Sequence, residues 1–232
     1  MAFVFPAPPT PSLAVAGESA RFPVRRIFCV GRNYADHVRE MGGDPNRDPP
    51  VFFTKPADAV VEQGVKIAYA AETADLHYEI ELVIAIGKGG RNIEAADALA
   101  HVYGYAVGID MTRRDTQAKA KKAGGPWDHA KAFDQSAPIG PVYAAAKVGH
   151  PEKGRIWLSV NGVSRQSSDI ANMIFSVSEI IAAVSRGWEL APGDLIFTGT
   201  PDGVGPVVSA DVITGGVDGL GEIRFEMGPP AR

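Results

Sequence analysis

"HYEIELVIAIG", residues 77–87, reads as a β-strand that nonetheless carries two carboxylates one residue apart. Successive side chains of a strand point to opposite faces. Ile80, Leu82, Ile84 and Ile86 therefore share one face, and Glu79, Glu81, Val83 and Ala85 share the other. The large aliphatics claim a core. Two neighbouring anions repel each other and are costly to bury without a cation. A divalent metal would compensate both, and oxygen-only donors favour Mg²⁺, Mn²⁺ or Ca²⁺ over zinc. The same pattern also suits an exposed edge strand, with both carboxylates in water.

Outward from this stretch the elements are short. Residues 24–30, "VRRIFCV", and 49–56, "PPVFFTKP", read as strands, as do residues 102–109. Helical composition marks "RNYADHVREMGG", which stops at the glycine pair Gly42 and Gly43, as well as "IEAADALA" and residues 111–125, "MTRRDTQAKAKKAGG". Asn161-Gly162 between alternating segments predicts a tight hairpin, because both residues tolerate positive φ. Ser176 and Glu179 have capping-box spacing at the head of a helix that should end at Gly187. The expected fold class is α+β, mostly β, with helices on the flanks. Residues 1–20, with prolines at 6, 8, 9 and 11, read as an irregular arm, and 21–232 as a single domain.

Bulk properties exclude several functions. With 23 Lys and Arg against 27 Asp and Glu, the net charge of −4 offers no basic surface, so no nucleic-acid partner is expected. Cys29 is the single cysteine, which rules out an intrachain disulfide and suits a reducing compartment; within an apolar strand it reads as a small core residue. The first residues lack the basic lead-in of a signal peptide, and no run approaches the roughly 18 apolar residues of a membrane helix. A cytoplasmic protein without a membrane partner is expected.

Further residues carry possible chemistry. Asp110 ends an apolar strand, where it can join Glu79 and Glu81 around an ion or simply cap the helix that follows. His37 and Glu40, three apart on a short helix, can form a dyad in which the carboxylate raises the basicity of the imidazole; such pairs are also common on solvated helix faces. Arg114, Gln117 and Lys131 can bind an anion or serve solubility alone. "TGTPDGVG", residues 198–205, can bring backbone N–H groups close to a ligand or make a plain turn.

In chain order, "CVGRNYADHVREMG", "HYEIEL", "YAVGIDMTRRDTQ", "GPWDHAKAFD", "SRQSSDIANMIFSVSEII" and "LAPGDLIFTGTPDGVGPV" closely resemble the fumarylacetoacetate hydrolase family, from about residue 27 onward. The resemblance is to the short, single-domain acylpyruvase branch. It implies a mixed β-roll, usually a homodimer. It also implies Mg²⁺ or Mn²⁺, with Ca²⁺ as a substitute, on Glu79, Glu81 and Asp110. His37 and Glu40 resemble the water-activating dyad on a lid helix, and Lys131 the active-site lysine. Arg114, Gln117, Gly199 and Thr200, together with Lys131, match substrate-binding positions. The implied reaction is metal-dependent hydrolysis of a C–C bond in a 2,4-dioxo acid such as fumarylpyruvate. Oxaloacetate decarboxylation and isomerisation of a 2-oxo diacid are the alternatives, since they use the same site.

Overall fold

The computed structural model describes residues 3–42, 44 and 49–231. Met1 and Ala2 of the expected arm, Gly43 of the glycine pair and Arg232 at the end of the expected domain lie outside the described residues. Among those described, the largest sheet has six strands in the order Tyr143–Ala144, Val102–Ile109, Ile80–Ile86, Asp194–Phe197, Arg26–Gly31 and Val51–Lys55. All its pairings are antiparallel except Asp194–Phe197 with Arg26–Gly31. A second sheet orders Val163–Asp169, Arg155–Val160, Val212–Val217, Glu222–Pro230 and Lys66–Tyr69.

Ile80–Ile86 is central and buried throughout, which removes the edge-strand alternative. Its two faces serve different cores, as the alternation predicts. Ile80, Leu82, Ile84 and Ile86 pack with Ile156, Leu158, Ile213 and Phe225 of the second sheet and with Ile180, Ile181 and Val184 of helix Val177–Gly187. Val83 and Ala85 pack on the other side with Leu13, Phe22, Cys29, Ile139 and Phe197. Buried Cys29 is the expected core residue.

The hairpin and the capped helix form as their local chemistry demands. Asn161 and Gly162 take φ of 52° and 78° between antiparallel strands. Ser176 Oγ accepts from the Glu179 N–H, and Glu179 Oε2 accepts from the Ser176 N–H. We expect Ser176→Ala to cost about 1 kcal/mol, read as a lowered urea midpoint with an unchanged slope.

Four local expectations are corrected. Ser12–Ala14, inside the arm read as irregular, pairs with Arg21–Pro23, because Leu13 and Phe22 are apolar enough to be buried together. The strand expected across residues 77–86 is interrupted at Glu79, dividing into Leu76–Tyr78 and Ile80–Ile86. The helix expected from Met111 begins at Arg114, because Thr112–Arg113 first pairs with Leu76 and His77; Asp110 is therefore no helix cap. "IEAADALA" holds only the start of a 3₁₀ turn, Ala98–His101.

Candidate active site

One end of the six-stranded sheet gathers most of the expected residues. Ile80 pairs with Ile109, and Phe197 pairs with both Val83 and Cys29. The start of Ile80–Ile86 thus meets the ends of Val102–Ile109, Asp194–Phe197 and Arg26–Gly31. The Asp110 N–H donates to Glu79 O at 2.8 Å, tying the break in one strand to the end of its neighbour. Glu79, Glu81 and Asp110 are buried, and each offers a carboxylate oxygen within 4.8 Å of the others.

Three buried cations face these carboxylates, but unevenly. Lys131 Nζ donates to Glu79 Oε2 at 2.8 Å, Asp110 Oδ2 at 2.7 Å and Thr112 Oγ1 at 2.6 Å. Arg114 donates through Nη2 to Glu79 Oε1 and through Nη1 to Gln117 Oε1. Lys55 Nζ lies 2.8 Å from Asp110 Oδ1 and donates to the carbonyls of Met111 and Lys131. Among the described residues Glu81 receives only the Gly199 N–H, at 2.7 Å on Oε2.

The electrostatics follow this distribution. Burial pushes the Glu79 carboxyl up, but Lys131 and Arg114 outweigh it and hold the group far below the usual carboxylate range. At Glu81 the balance tips the other way: burial, then Asp110 and Glu79 beside it, outweigh Lys131 and the Gly199 N–H and push it well above that range. Burial lowers the Lys131 ammonium, yet Asp110 and Glu79 leave it raised overall, so it stays charged. Although Lys55 is near, Asp110 Oδ1 accepts no hydrogen bond. Glu81, with no ion pair among the described residues, and Asp110 Oδ1, which faces Lys55 but accepts no hydrogen bond, are the oxygens a divalent cation would engage. The all-oxygen donor set fits Mg²⁺ or Mn²⁺.

Helix Ala35–Glu40 brings a second group to the same cleft. His37 lines it, and His37 Nδ1 is 3.1 Å from Glu40 Oε2. Glu40 Oε1 accepts from the Gly203 N–H at 3.0 Å, so the carboxylate holds the imidazole and joins the helix to the 198–205 loop. Gly203 has φ of +86°, and a Cβ there would stand 2.2 Å from Arg165 O. Gly203→Ala must therefore move the loop and loosen Glu40. We expect kcat to fall on the order of 10- to 100-fold. Gly219→Ala, at φ of +82° in open space, controls for backbone strain alone and should leave steady-state kinetics unchanged.

Two of the matched positions are bonded within the protein. Gly199, matched to substrate by resemblance, donates its N–H to Glu81; its φ is +95°, and a Cβ there would stand 2.7 Å from Asn33 Cβ. Lys131, matched to both catalysis and substrate, has all three N–H groups engaged by protein oxygens. Thr200 lines the cleft, and its Oγ1 accepts from Gln166 Nε2 at 2.9 Å. Gln117 also lines the cleft, and its amide nitrogen has no partner among the described residues.

Two participants lacked a readable signal. Lys55 looks like any strand-ending lysine before a proline, and only the pairing of Val51–Lys55 with Arg26–Gly31 carries it to Asp110. His77 Nδ1 accepts from Arg114 Nε at 3.2 Å, while Nε2 faces Asp75 Oδ1 at 2.9 Å. Burial and then Arg114 lower the pKa of His77, which favours the neutral ring that can accept from the guanidinium. Its place beside the E-x-E pair was the only available hint.

Comparison with known proteins agrees with this geometry. The family model described as fumarylacetoacetate (FAA) hydrolase C-terminal matches residues 26–227. A fumarylpyruvate hydrolase from Pseudomonas aeruginosa, solved in complex with Mn²⁺ and pyruvate, is 54% identical with a TM-score of 0.95, covering 98% of this chain and 100% of that one. The mitochondrial oxaloacetate tautomerase FAHD1 of Homo sapiens is 45% identical over 206 residues, 89% of this chain and 93% of that protein. The oxaloacetate tautomerase YcgM of Escherichia coli is 42% identical over 204 residues, 88% of this chain and 93% of its own length. With the buried carboxylates, the mixed sheets and a match over most of its length, the chain belongs to the fumarylacetoacetate hydrolase family.

Proposed function

We propose that the chain hydrolyses the C–C bond of a 2,4-dioxo acid, with fumarylpyruvate as substrate and fumarate and pyruvate as products. The observation that carries this reading is the His37–Glu40 pair opening onto the same cleft as Glu79, Glu81 and Asp110. Support also comes from the Pseudomonas aeruginosa relative, whose bound pyruvate corresponds to one product.

A divalent ion held by Glu79, Glu81 and Asp110 would supply Lewis-acid polarisation of the 2-oxo acid's oxygens. The chain's own groups do the rest. Glu40 on His37 Nδ1 favours the tautomer that leaves Nε2 free to accept a proton. Nε2 takes that proton from water as the water oxygen adds to the C4 carbonyl. The Gln117 amide is the available donor for the negative charge that develops on the carbonyl oxygen. When the C3–C4 bond breaks, its electron pair passes to C3 and His37 returns the proton there, giving pyruvate. The oxygen from water remains in the new carboxylate of fumarate. Arg114 is held at Nη1, Nη2 and Nε, so its guanidinium is a fixed electrostatic wall.

Keto–enol interconversion of oxaloacetate is the second reading, favoured by the curated relatives at 42–45% identity. It would use the same dyad to move a proton without adding water. Protein loaded with Mn²⁺ is incubated with fumarylpyruvate, a neutral acylpyruvate and oxaloacetate, with ultraviolet detection and chromatography of products. Equal amounts of fumarate and pyruvate, formed only with metal, support the hydrolase. Rapid change in the enol absorbance of oxaloacetate, with neither acylpyruvate cleaved, would support the tautomerase instead. Loss of oxaloacetate to pyruvate and carbon dioxide alone would point to decarboxylation.

A further inference from the structure

We propose that Arg32 and Lys121, at the mouth of the cleft, form an anion subsite for the far carboxylate of a substrate charged at both ends. This rests on the reading of the site as one for 2-oxo acids and narrows it to diacids whose charges are separated by an apolar linker.

The charged side chains of the inner site balance without these two residues, before any ion is counted. Lys55, Lys131 and Arg114 face Glu79, Glu81 and Asp110, three cations against three carboxylates. Arg32 and Lys121 line the same cleft and are surplus positive charge. Among the described residues neither side chain makes an ion pair or hydrogen bond. Burial, then Arg114, and also Arg32, lower the pKa of Lys121, as expected where like charges gather without enough anion to offset them.

Both positions follow from local geometry. Residues 114, 117 and 121 are spaced i, i+3 and i+7 on helix Arg114–Ala123, which gives them one face, and all three line the cleft. Arg32 has φ of +63°, an uncommon conformation for a non-glycine residue. It directly follows strand Arg26–Gly31, so the sheet delivers it to the same end as the carboxylates.

An aromatic wall links the inner site to the mouth. Lys131 Nζ sits 5.1 Å from the centre of the Phe53 ring. Phe53 and Trp127 have centroids 5.7 Å apart. Lys121 Nζ in turn sits 5.2 Å from the centre of the Trp127 ring. A ligand lying along this wall has its chelating 2-oxo acid end at the carboxylates, its apolar or unsaturated middle on the rings and its second carboxylate at Arg32 and Lys121. Fumarylpyruvate has this pattern.

The test measures binding, not turnover. Protein loaded with Mn²⁺ is titrated calorimetrically with 2-oxohexanedioate and with 2-oxohexanoate, which lacks the far carboxylate. Wild type should prefer the diacid by about 10- to 100-fold, the range for a hydrogen-bonded charge. That preference should shrink as salt is raised. In the double variant Arg32→Asn, Lys121→Gln it should fall to about threefold or less; asparagine is chosen because it tolerates positive φ. Lys121→Arg keeps the charge and should keep the preference. Absence of a preference in wild type, or its survival in the folded double variant, would overturn the subsite. The same preparations are assayed for fumarylpyruvate cleavage. A diacid preference without cleavage overturns the hydrolase reading and leaves the subsite standing, whereas cleavage without preference does the reverse.

Discussion

His37→Ala should lower kcat for the 2,4-dioxo acid by about 10²- to 10⁴-fold, the usual contribution of a positioned general base. The expectation rests on where the residue sits. His37 lines the cleft, and its Nδ1 is held by a carboxylate that is itself tied to Gly203. Its ring bonds to Glu40 and, among the described residues, not to Glu79, Glu81 or Asp110, so Mn²⁺ affinity should stay near the wild-type value. Steady-state kinetics at saturating metal, beside a calorimetric Mn²⁺ titration, separate the two quantities. A variant with full turnover would exclude the dyad, and one that had lost Mn²⁺ would move His37 from proton transfer to metal retention.

Glu81→Gln and Glu79→Gln should have opposite effects on the metal-free protein, although the residues are neighbours on one strand face. Glu81 is buried beside two carboxylates and, among the described residues, receives only a backbone N–H, so a neutral amide removes a group whose ionised form its surroundings oppose. Its metal-free melting temperature should equal or exceed that of wild type. Glu79 is bonded to both Lys131 and Arg114, and neutralising it strips two buried cations of a partner. Its melting temperature should fall.

Added Mn²⁺ reverses the ranking of wild type and Glu81→Gln. At 100 times its Kd the ion stabilises wild type by about 2.7 kcal/mol, whereas Glu81→Gln should gain almost nothing at the same concentration. Its Mn²⁺ affinity should drop by at least on the order of 100-fold, since even residues behind metal ligands cost up to that much. Thermal melts with chelator and with Mn²⁺ read all four values. A stabilising Mn²⁺ effect in Glu81→Gln equal to that in wild type would remove Glu81 from the ligand set.

Much of the molecule was legible because the signals are local. The alternation of Ile80–Ile86 is a property of a single strand, and it correctly divided that strand between two cores. Positive φ at Asn161 and Gly162, and the reciprocal bonds of Ser176 and Glu179, likewise need only adjacent residues. Local reading failed where a distant strand intervened. Asp110 looked like a cap until Thr112–Arg113 paired with Leu76 and His77 and displaced the helix start.

The sequence by itself determined that two glutamates share a strand face, that a histidine and a glutamate stand one helical turn apart, and which family the ordered motifs resemble. Only the tertiary structure decided how charge is distributed among those groups. Glu81 meets Gly199 across 118 residues of chain, and Lys55 reaches Asp110 across the sheet. The physical reason is that strand periodicity is set within a few residues, whereas compensation of a buried charge depends on the order in which strands assemble. That order places Asp194–Phe197 beside Ile80–Ile86 and so brings Gly199 to Glu81, while Arg114 and Lys131 pair with Glu79; among the described residues Glu81 has no ion pair.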